Sequence, residues 1–354
     1  MKNKILIIIF IGYISFFSIL SFLIPDKIIS ASERRKLKEF PEVEFSSSWI
    51  EKVEGYLLDH FFLREEFRSI KANYNYKVLN KFDNNDIYLK DNYIFKSNYP
   101  TNIDSIDYFN NNIKNISSFL SENNNVYMMV IPDKNYYLDS DDFLHIDYDY
   151  IYDKTSKFNF NYIDIRDILE LEDYYETDTH WKQEKLNKVV KKMCKEMNFL
   201  YQDITYDESV LTTFYGVYYG ESAVKRGSEK LIYLTNSLFD DVEVNYFENE
   251  NINTVYNQDK LFGLDPYDVY LDGASSYIEI NNKNASSDRE LVIFRDSFGS
   301  SLTPLFINYY KKITLIDNRY INSDNFNKLI EFDDQDVLFM YSTLLINDSY
   351  SLKG

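Results

Sequence analysis

A serine, a histidine and a carboxylate are the side-chain types that together perform nucleophilic acyl transfer, and this chain offers few ways to assemble them. It has only 3 histidines, His60, His145 and His180. His180 stands in "ETDTHWKQEKL" (176–186), two residues after Asp178 and just before a helical pattern that begins near Lys182. In a regular helix, residues two apart point away from each other, so an Asp178–His180 pair requires a loop. In such a loop the carboxylate holds the imidazole Nδ1–H and leaves Nε2 free to accept a proton from a hydroxyl. The matching hydroxyl is Ser297 in "LVIFRDSFGSSLTPLF", where an apolar run leads straight into a serine and a glycine-containing helix start. Backbone N–H groups at such a helix start can hold an oxyanion. Each stretch also has a simpler reading, Ser297 as a helix N-cap and His180 as a structural residue at a helix entry. His60 and His145 lie at no expected strand end and are read as structural or solvent-facing.

The elements that must position these groups are short apolar runs at 126–131, 160–165, 290–294, 313–317 and 336–341. They have the length and composition of strands buried in a parallel sheet. Helical patterns separate several of them, most clearly 182–198, where Leu186, Val189, Val190, Met193 and Met197 share one face. The fold class is therefore α/β, a parallel sheet sandwiched by helices. In an open parallel sheet, ligands bind beyond the carboxyl ends of the strands. Those ends carry Asp133 and Lys134, Arg166 and Asp167, Arg295 with Asp296 and Ser297, Arg319, and Tyr341 with Ser342. Arg295, Arg319, Tyr341 and Trp181 are candidates for substrate or oxyanion contacts. Residues 203–288 alternate in the manner of antiparallel strands and form a β-rich insertion.

The N-terminus carries Lys2 and Lys4 followed by an apolar run from Ile5 to Ile24, long enough to cross a bilayer as one helix. No small-residue cleavage site stands out behind it, so residues 1–27 are read as an uncleaved membrane anchor, with the folded domain outside the cell. Residues 28–85 form a helical lead-in, in which Ile50, Val53, Leu57 and Phe61 have amphipathic spacing. "DIYLKDNYIF" (86–95) gives two short strands around a polar turn and opens the α/β domain, 86–354. The formal charge of −19 sets nucleic acid aside as a partner, because phosphate binding needs a basic face. The single cysteine, Cys194, falls in a helical pattern and reads as a core residue, and no cofactor or metal is called for. The acidic stretch 139–153 lacks the glycine and ligand spacing of a calcium loop and reads as a solvated loop.

Taken in order, "SERRKLKEFP", "YLLDHFFLRE", "VIPDK", "DTHW", "RDSFGSSLTP" and "VLFMYS" resemble the DHHW family of bacterial surface proteins. That family is related to alginate O-acetyltransferase-like proteins within the SGNH hydrolase superfamily. The resemblance implies an SGNH-like domain with a triad in which Ser297 is the nucleophile, His180 the base and Asp178 its orienting carboxylate. The family's name motif has an additional histidine where this chain has Thr179, while D-x-H-W is kept. The resemblance further implies O-acetylation of a cell-surface or extracellular polysaccharide, with a membrane-bound O-acyltransferase supplying the acetyl group. An esterase using the same triad, and a non-catalytic surface protein used for binding or assembly, are the rival expectations.

Overall fold

The computed structural model describes residues 2–44, 46–138 and 143–353. They divide into two compact units, one running to Ile94 with Val217–Gly227 added, the other holding Phe95–Gly216 and the chain from Ser228 onward.

The second unit is built on a seven-stranded sheet. Its strands in chain order are β1 (Asn125–Ile131), β2 (Asn161–Tyr162), β3 (Val242–Tyr246), β4 (Tyr277–Asn282), β5 (Glu290–Arg295), β6 (Lys312–Ile316) and β7 (Asp336–Ser342). In space the order is β3-β4-β6-β5-β7-β1-β2. The five strands from β6 to β2 are mutually parallel, whereas β3 and β4 add an antiparallel edge. Alternate side chains of each strand go to opposite faces, and the two cores follow that period. Met129, Ile131, Ile293, Leu338 and Met340 pack on one face with helix α6 (Asn187–Glu196). Met128, Val130, Val292, Phe294, Val337 and Phe339 pack on the other with α4 (Ile103–Ser117) and α5 (Tyr148–Thr155). This is the layered α/β arrangement that the strand pattern implies, with β5 at the centre and its carboxyl end carrying Ser297.

Several elements differ from expectation in instructive ways. The run 160–165 contributes only two residues to the sheet edge, because Asp164 turns back to pair with the Arg166 guanidinium and backbone N–H. The helix expected over 182–198 is preceded by a tight turn at Gln183–Lys185, whose Gln183 is fully buried. Within 203–288, the strands Asp207–Phe214 and Glu229–Thr235 form a separate hairpin, while β3 and β4 join the central sheet. In the acidic stretch, residues 139–142 lie outside the described residues. Its end is no loop, because Asp147 caps α5 and Ile151 and Tyr152 are buried.

In the first unit, α1 (Lys2–Leu23) is the expected apolar helix. The lead-in holds two helices rather than one, α2 (Ser47–Asp59) and α3 (Arg64–Lys77). The break falls at Leu63, whose φ of 58° leaves the right-handed helical region, so Phe61 belongs to a turn. The short strands Ile87–Lys90 and Tyr93–Lys96 flank the expected polar turn.

Candidate active site

The Ser297 half is organised within a few residues. β5 is buried to its end, and the chain passes through Asp296 and Ser297 into the short helix Phe298–Leu302. Asp296 takes over the capping role: its Oδ1 accepts the Phe298 N–H at 3.0 Å and its Oδ2 accepts the Ser342 N–H at 2.8 Å. One buried carboxylate therefore ties the end of β5 to the end of β7. The Ser297 side chain caps nothing, and its Oγ lies 2.8 Å from His180 Nε2. The N-cap reading of this serine is thus replaced by the hydrogen bond to imidazole. Gly299 permits the close packing here, since a Cβ would lie 2.7 Å from Met340 Cε and 3.0 Å from Arg295 Cβ.

The helix start is a narrower oxyanion site than the sequence suggests. The N–H groups of Phe298, Gly299 and Ser300 already donate to Asp296 Oδ1, Asp296 O and Ser297 O. The Ser297 N–H is left without a partner among the described residues.

The His180 half lies in a tight reversal of the chain. Tyr174 bridges Trp181, the Tyr175 N–H donates to His180 O at 3.1 Å, and the Lys182 N–H donates to Asp173 O at 2.7 Å. The turn brings Asp178 Oδ1 to 2.7 Å from His180 Nδ1, and the same oxygen accepts the His180 backbone N–H at 3.1 Å. Asp178 is 1% and His180 8% exposed, so the pair is shielded from competing water.

Distant segments hold this turn. The Lys134 ammonium, 2% exposed, lies 3.1 Å from Tyr175 O, 3.3 Å from Glu176 O and 2.7 Å from Asp178 O. Burial pulls its pKa down to about 7, against the opposing attraction of Asp178, Glu229 and Asp133. The Glu229 carboxylate accepts the N–H groups of Glu176 and Thr177 at 2.6 and 2.7 Å and the Thr177 hydroxyl at 2.6 Å. Gly216 donates to Thr177 Oγ1 at 2.9 Å, and a Cβ there would fall 2.4 Å from Asp178 Cα. Only a glycine allows that approach.

The imidazole is also clamped by rings. Tyr267 stacks on His180 with centroids 3.9 Å apart and planes 8° apart, while Phe298 packs at 4.9 Å. The Tyr267 hydroxyl donates to Ser301 Oγ at 2.8 Å.

The remaining expected residues lie elsewhere or face inward. Trp181 is fully buried and its indole N–H donates to Ser301 Oγ at 2.9 Å and Phe298 O at 3.1 Å, so it joins the two halves instead of facing a substrate. Gln183 strengthens the same junction by donating to Ser301 O at 2.7 Å. Arg295 is 1% exposed and turned toward Ser300 Oγ at 2.9 Å; its Nε has no partner among the described residues, and burial lowers its pKa. The Arg319 guanidinium is engaged by Asp317 at 2.8 and 2.5 Å. Tyr341 points into the α4 side of the sheet, donating to Asn318 Oδ1 at 2.8 Å and packing on Phe109. The strand-end rule locates a backbone, not the face that each side chain takes, which is why these placements diverge. His60 donates through Nε2–H to Lys38 O at 2.9 Å, and His145 packs beside Tyr148. Neither touches Ser297. Among the described residues no group of three or more His, Cys, Asp or Glu is placed to hold a metal ion.

Lys134, Gly216, Glu229 and Tyr267 are the contributions that motif reading does not assign. Lys134 ends "VIPDK" and was visible only as a strand-end residue; the other three lie in the β-rich stretch or at its start.

No protein-family model matches the sequence, and no curated protein does. Among solved structures the chain is similar to a DHHW family protein from Eubacterium siraeum, with a TM-score of 0.61 and 19% identity over 77% of this chain and 97% of that one. It is also similar to Bacillus cereus PatB1, with a TM-score of 0.59 and 19% identity over 74% of this chain and 97% of that one. A second PatB1 structure, at a TM-score of 0.59 and 18% identity over 73% of this chain and 97% of that one, carries a sulfonyl adduct. At such identities the likeness is one of fold, and it meets the DHHW resemblance read from the sequence blocks.

Proposed function

We propose that this protein is a membrane-anchored O-acetyltransferase that acts on a cell-surface or extracellular polysaccharide through Ser297, His180 and Asp178. The observation that carries the reading is the unbroken chain of contacts from Asp178 Oδ1 through the imidazole to Ser297 Oγ, at 2.7 and 2.8 Å. In this mechanism Ser297 Oγ attacks the acetyl carbonyl as its proton passes to His180 Nε2, and Asp178 stabilises the imidazolium through Nδ1. The Ser297 N–H is aimed to steady the tetrahedral oxyanion. Collapse of that intermediate expels the donor's oxygen, which takes the proton from His180, and leaves an acetyl-serine. A sugar hydroxyl, deprotonated by the same imidazole, then attacks the acetyl carbonyl, and the Ser297 Oγ–carbon bond breaks as Oγ takes the proton back from His180 Nε2. Residues 1–27 serve as the anchor with the domain outside, and a membrane-bound O-acyltransferase supplies the acetyl group across the membrane.

The test uses the full chain in detergent with an activated acetyl ester and an oligosaccharide acceptor. Ser297 should become acetylated, and the label should move to the acceptor faster than acetate appears. A sulfonyl fluoride, the reagent class suggested by the PatB1 adduct, should modify Ser297 and block both steps. Labelling that is unchanged in Ser297→Ala would overturn the covalent mechanism. Release of acetate with no acceptor product across a panel of glycans would replace transfer by ester hydrolysis.

A further inference from the structure

The stretch Leu57–Leu63, made of the last residues of α2 and its turn into α3, leaves large apolar side chains uncovered: Leu57 is 44%, Leu58 63%, Phe61 36% and Leu63 41% exposed. What lies beside them identifies their partner. Phe17, inside the apolar run of α1, packs against Phe61, Phe62 and Phe67 with ring centroids 5.8, 6.1 and 5.5 Å apart. The backbone is attached as well, because the Phe62 N–H donates to Ser21 Oγ at 2.9 Å, and that hydroxyl donates to Phe17 O at 2.8 Å. The apolar run of α1 ends at Ile24, followed by Pro25, Asp26 and Lys27. Phe17 is therefore about 10 Å from the end of the run along the helix axis. Rings that touch Phe17 share its depth, which is that of hydrocarbon and not of headgroups.

The polar groups of the same segment are arranged for such surroundings. Asp59 accepts two guanidinium bonds from Arg35 at 2.9 and 2.6 Å and the Lys38 N–H at 2.9 Å. Arg64 donates to Glu33 at 2.6 Å and to Glu65 at 2.7 Å. His60 contacts Lys38 O at 2.9 Å and stacks on Tyr56. Unpaired charges flanking a lipid-facing turn would oppose its burial; Asp59, Arg35 and Arg64 are paired, whereas Glu66, exposed in the first turn of α3, has no ion-pair partner among the described residues.

We propose that the Leu57–Leu63 turn is submerged in the leaflet at the C-terminal end of α1, so that lipid acyl chains cover Leu57, Leu58, Phe61 and Leu63. The first unit is then held to the bilayer by two elements, one spanning and one dipping. This rests on the reading of α1 as a retained membrane span and goes beyond it, since a single span needs no second contact.

The test places the full chain in phosphatidylcholine–phosphatidylglycerol vesicles with one added cysteine at Leu58, Phe61 or Leu63, labelled with an environment-sensitive fluorophore. Leu58 and Leu63 are exposed and outside the ring contacts with Phe17, so labels there carry the test; Phe61, whose ring packs on Phe17, is a third position read only if circular dichroism is unchanged, and the buried Cys194 does not compete. A label at Phe10, within α1, reports the span itself. Vesicles with brominated acyl chains should quench the labels at 58, 61 and 63 as they quench the one at 10, with blue-shifted emission and protection from aqueous iodide. Quenching by bromine at Phe10 alone, with iodide reaching the other three, overturns the proposal and leaves the span standing. Iodide reaching all four positions removes the span reading and the proposal together.

Discussion

Ser297 is positioned by its neighbours in sequence, whereas His180 is positioned by side chains drawn from most of the domain. On the Ser297 side, β5, the Asp296 carboxylate and five residues of helix set the serine itself, with the Ser342 N–H as a distant partner of Asp296. On the base side, Lys134, Gly216, Glu229 and Tyr267 come from four separate segments. A locally built half depends on one buried carboxylate and fails as a unit. A half built from many long-range contacts divides the same task, and each contact can be removed singly. Trp181 and Gln183 join the two by donating to the backbone of Phe298 and Ser301.

The largest effects should come from breaking the reaction at the junction of the halves. Ser297→Ala and His180→Ala should each reduce turnover of an activated acetyl ester by roughly 10³-fold or more, with unchanged circular dichroism. The double variant should be little worse than either single one, because triad members act together. Asp178→Asn should keep the fold and lose about 10²–10⁴-fold, through misorientation of the imidazole. Additive losses in the double variant would mean that the two residues serve different steps.

Next in size is the contrast between the supports themselves. Asp296→Ala strands two N–H groups, Phe298 and Ser342, of which Ser342 is 2% exposed. It should lower stability in urea titrations by about 2–5 kcal/mol and lower activity in parallel. Glu229→Ala releases the N–H groups of Glu176 and Thr177 at a half-buried position, where water can replace the carboxylate. It should cost about 1–2 kcal/mol while impairing kcat more than stability, since the turn it holds carries Asp178. The comparison fails if Glu229→Ala unfolds the domain and Asp296→Ala does not.

The same contrast governs what could be read in the sequence. The parallel strands of the central sheet, α6 and the Ser297 turn were legible because each is a local pattern, an apolar run or a helical period with its punctuation, whereas β3 and β4 read as part of the insertion. The His180 pair was legible as a requirement: two residues apart, Asp178 and His180 can meet only in a turn, and the chain makes one. The split of the lead-in at Leu63 was not, because a left-handed residue other than glycine or asparagine leaves no sequence mark. Nor were the tasks of Glu229 and Gly216, which depend on a hairpin lying against residues 176–178 and have no short-range signature. Arg319 and Tyr341 show the limit of strand-end reasoning, since both stand near the expected edge and turn their polar groups to Asp317 and Asn318.

Lys134 offers a subtler measurement. Its folded pKa, pulled down to about 7, lies well below the 10.5 of an exposed lysine, chiefly through burial. Between those values the unfolded chain keeps a proton that the folded chain has released, so stability is greatest above the upper value and declines as pH falls toward the lower. The Asp178, Glu229 and Asp133 carboxylates oppose the shift and Lys182 adds to it. Wild type should therefore gain stability over Lys134→Met as pH rises from about 7 to 10, by at most about 1.4 kcal/mol per pH unit. Denaturant titrations at several pH values check this, and equal slopes for the two proteins would show that Lys134 stays charged throughout.

The smallest expected effect separates the two contacts that Tyr267 makes. Its ring lies flat on His180, and its hydroxyl donates to Ser301 Oγ, which also accepts from Trp181. Tyr267→Phe keeps the stack and removes one buried donor from a hydroxyl that retains its indole partner. The cost should be about 1 kcal/mol in stability, with turnover of the acetyl ester changed by only a few fold. Tyr267→Leu removes the flat surface but leaves a side chain of similar bulk, so the imidazole can tilt away from Ser297 Oγ while the core stays filled. It should lower kcat by about ten-fold with KM nearly unchanged, because the loss falls on proton transfer and not on ground-state binding. If Tyr267→Phe proves as damaging as Tyr267→Leu, the hydroxyl's tie to Ser301 matters more than the stack, and the nucleophile's helix depends on the distant insertion as heavily as the base does. That result would erase the difference between the two halves from the nucleophile's side.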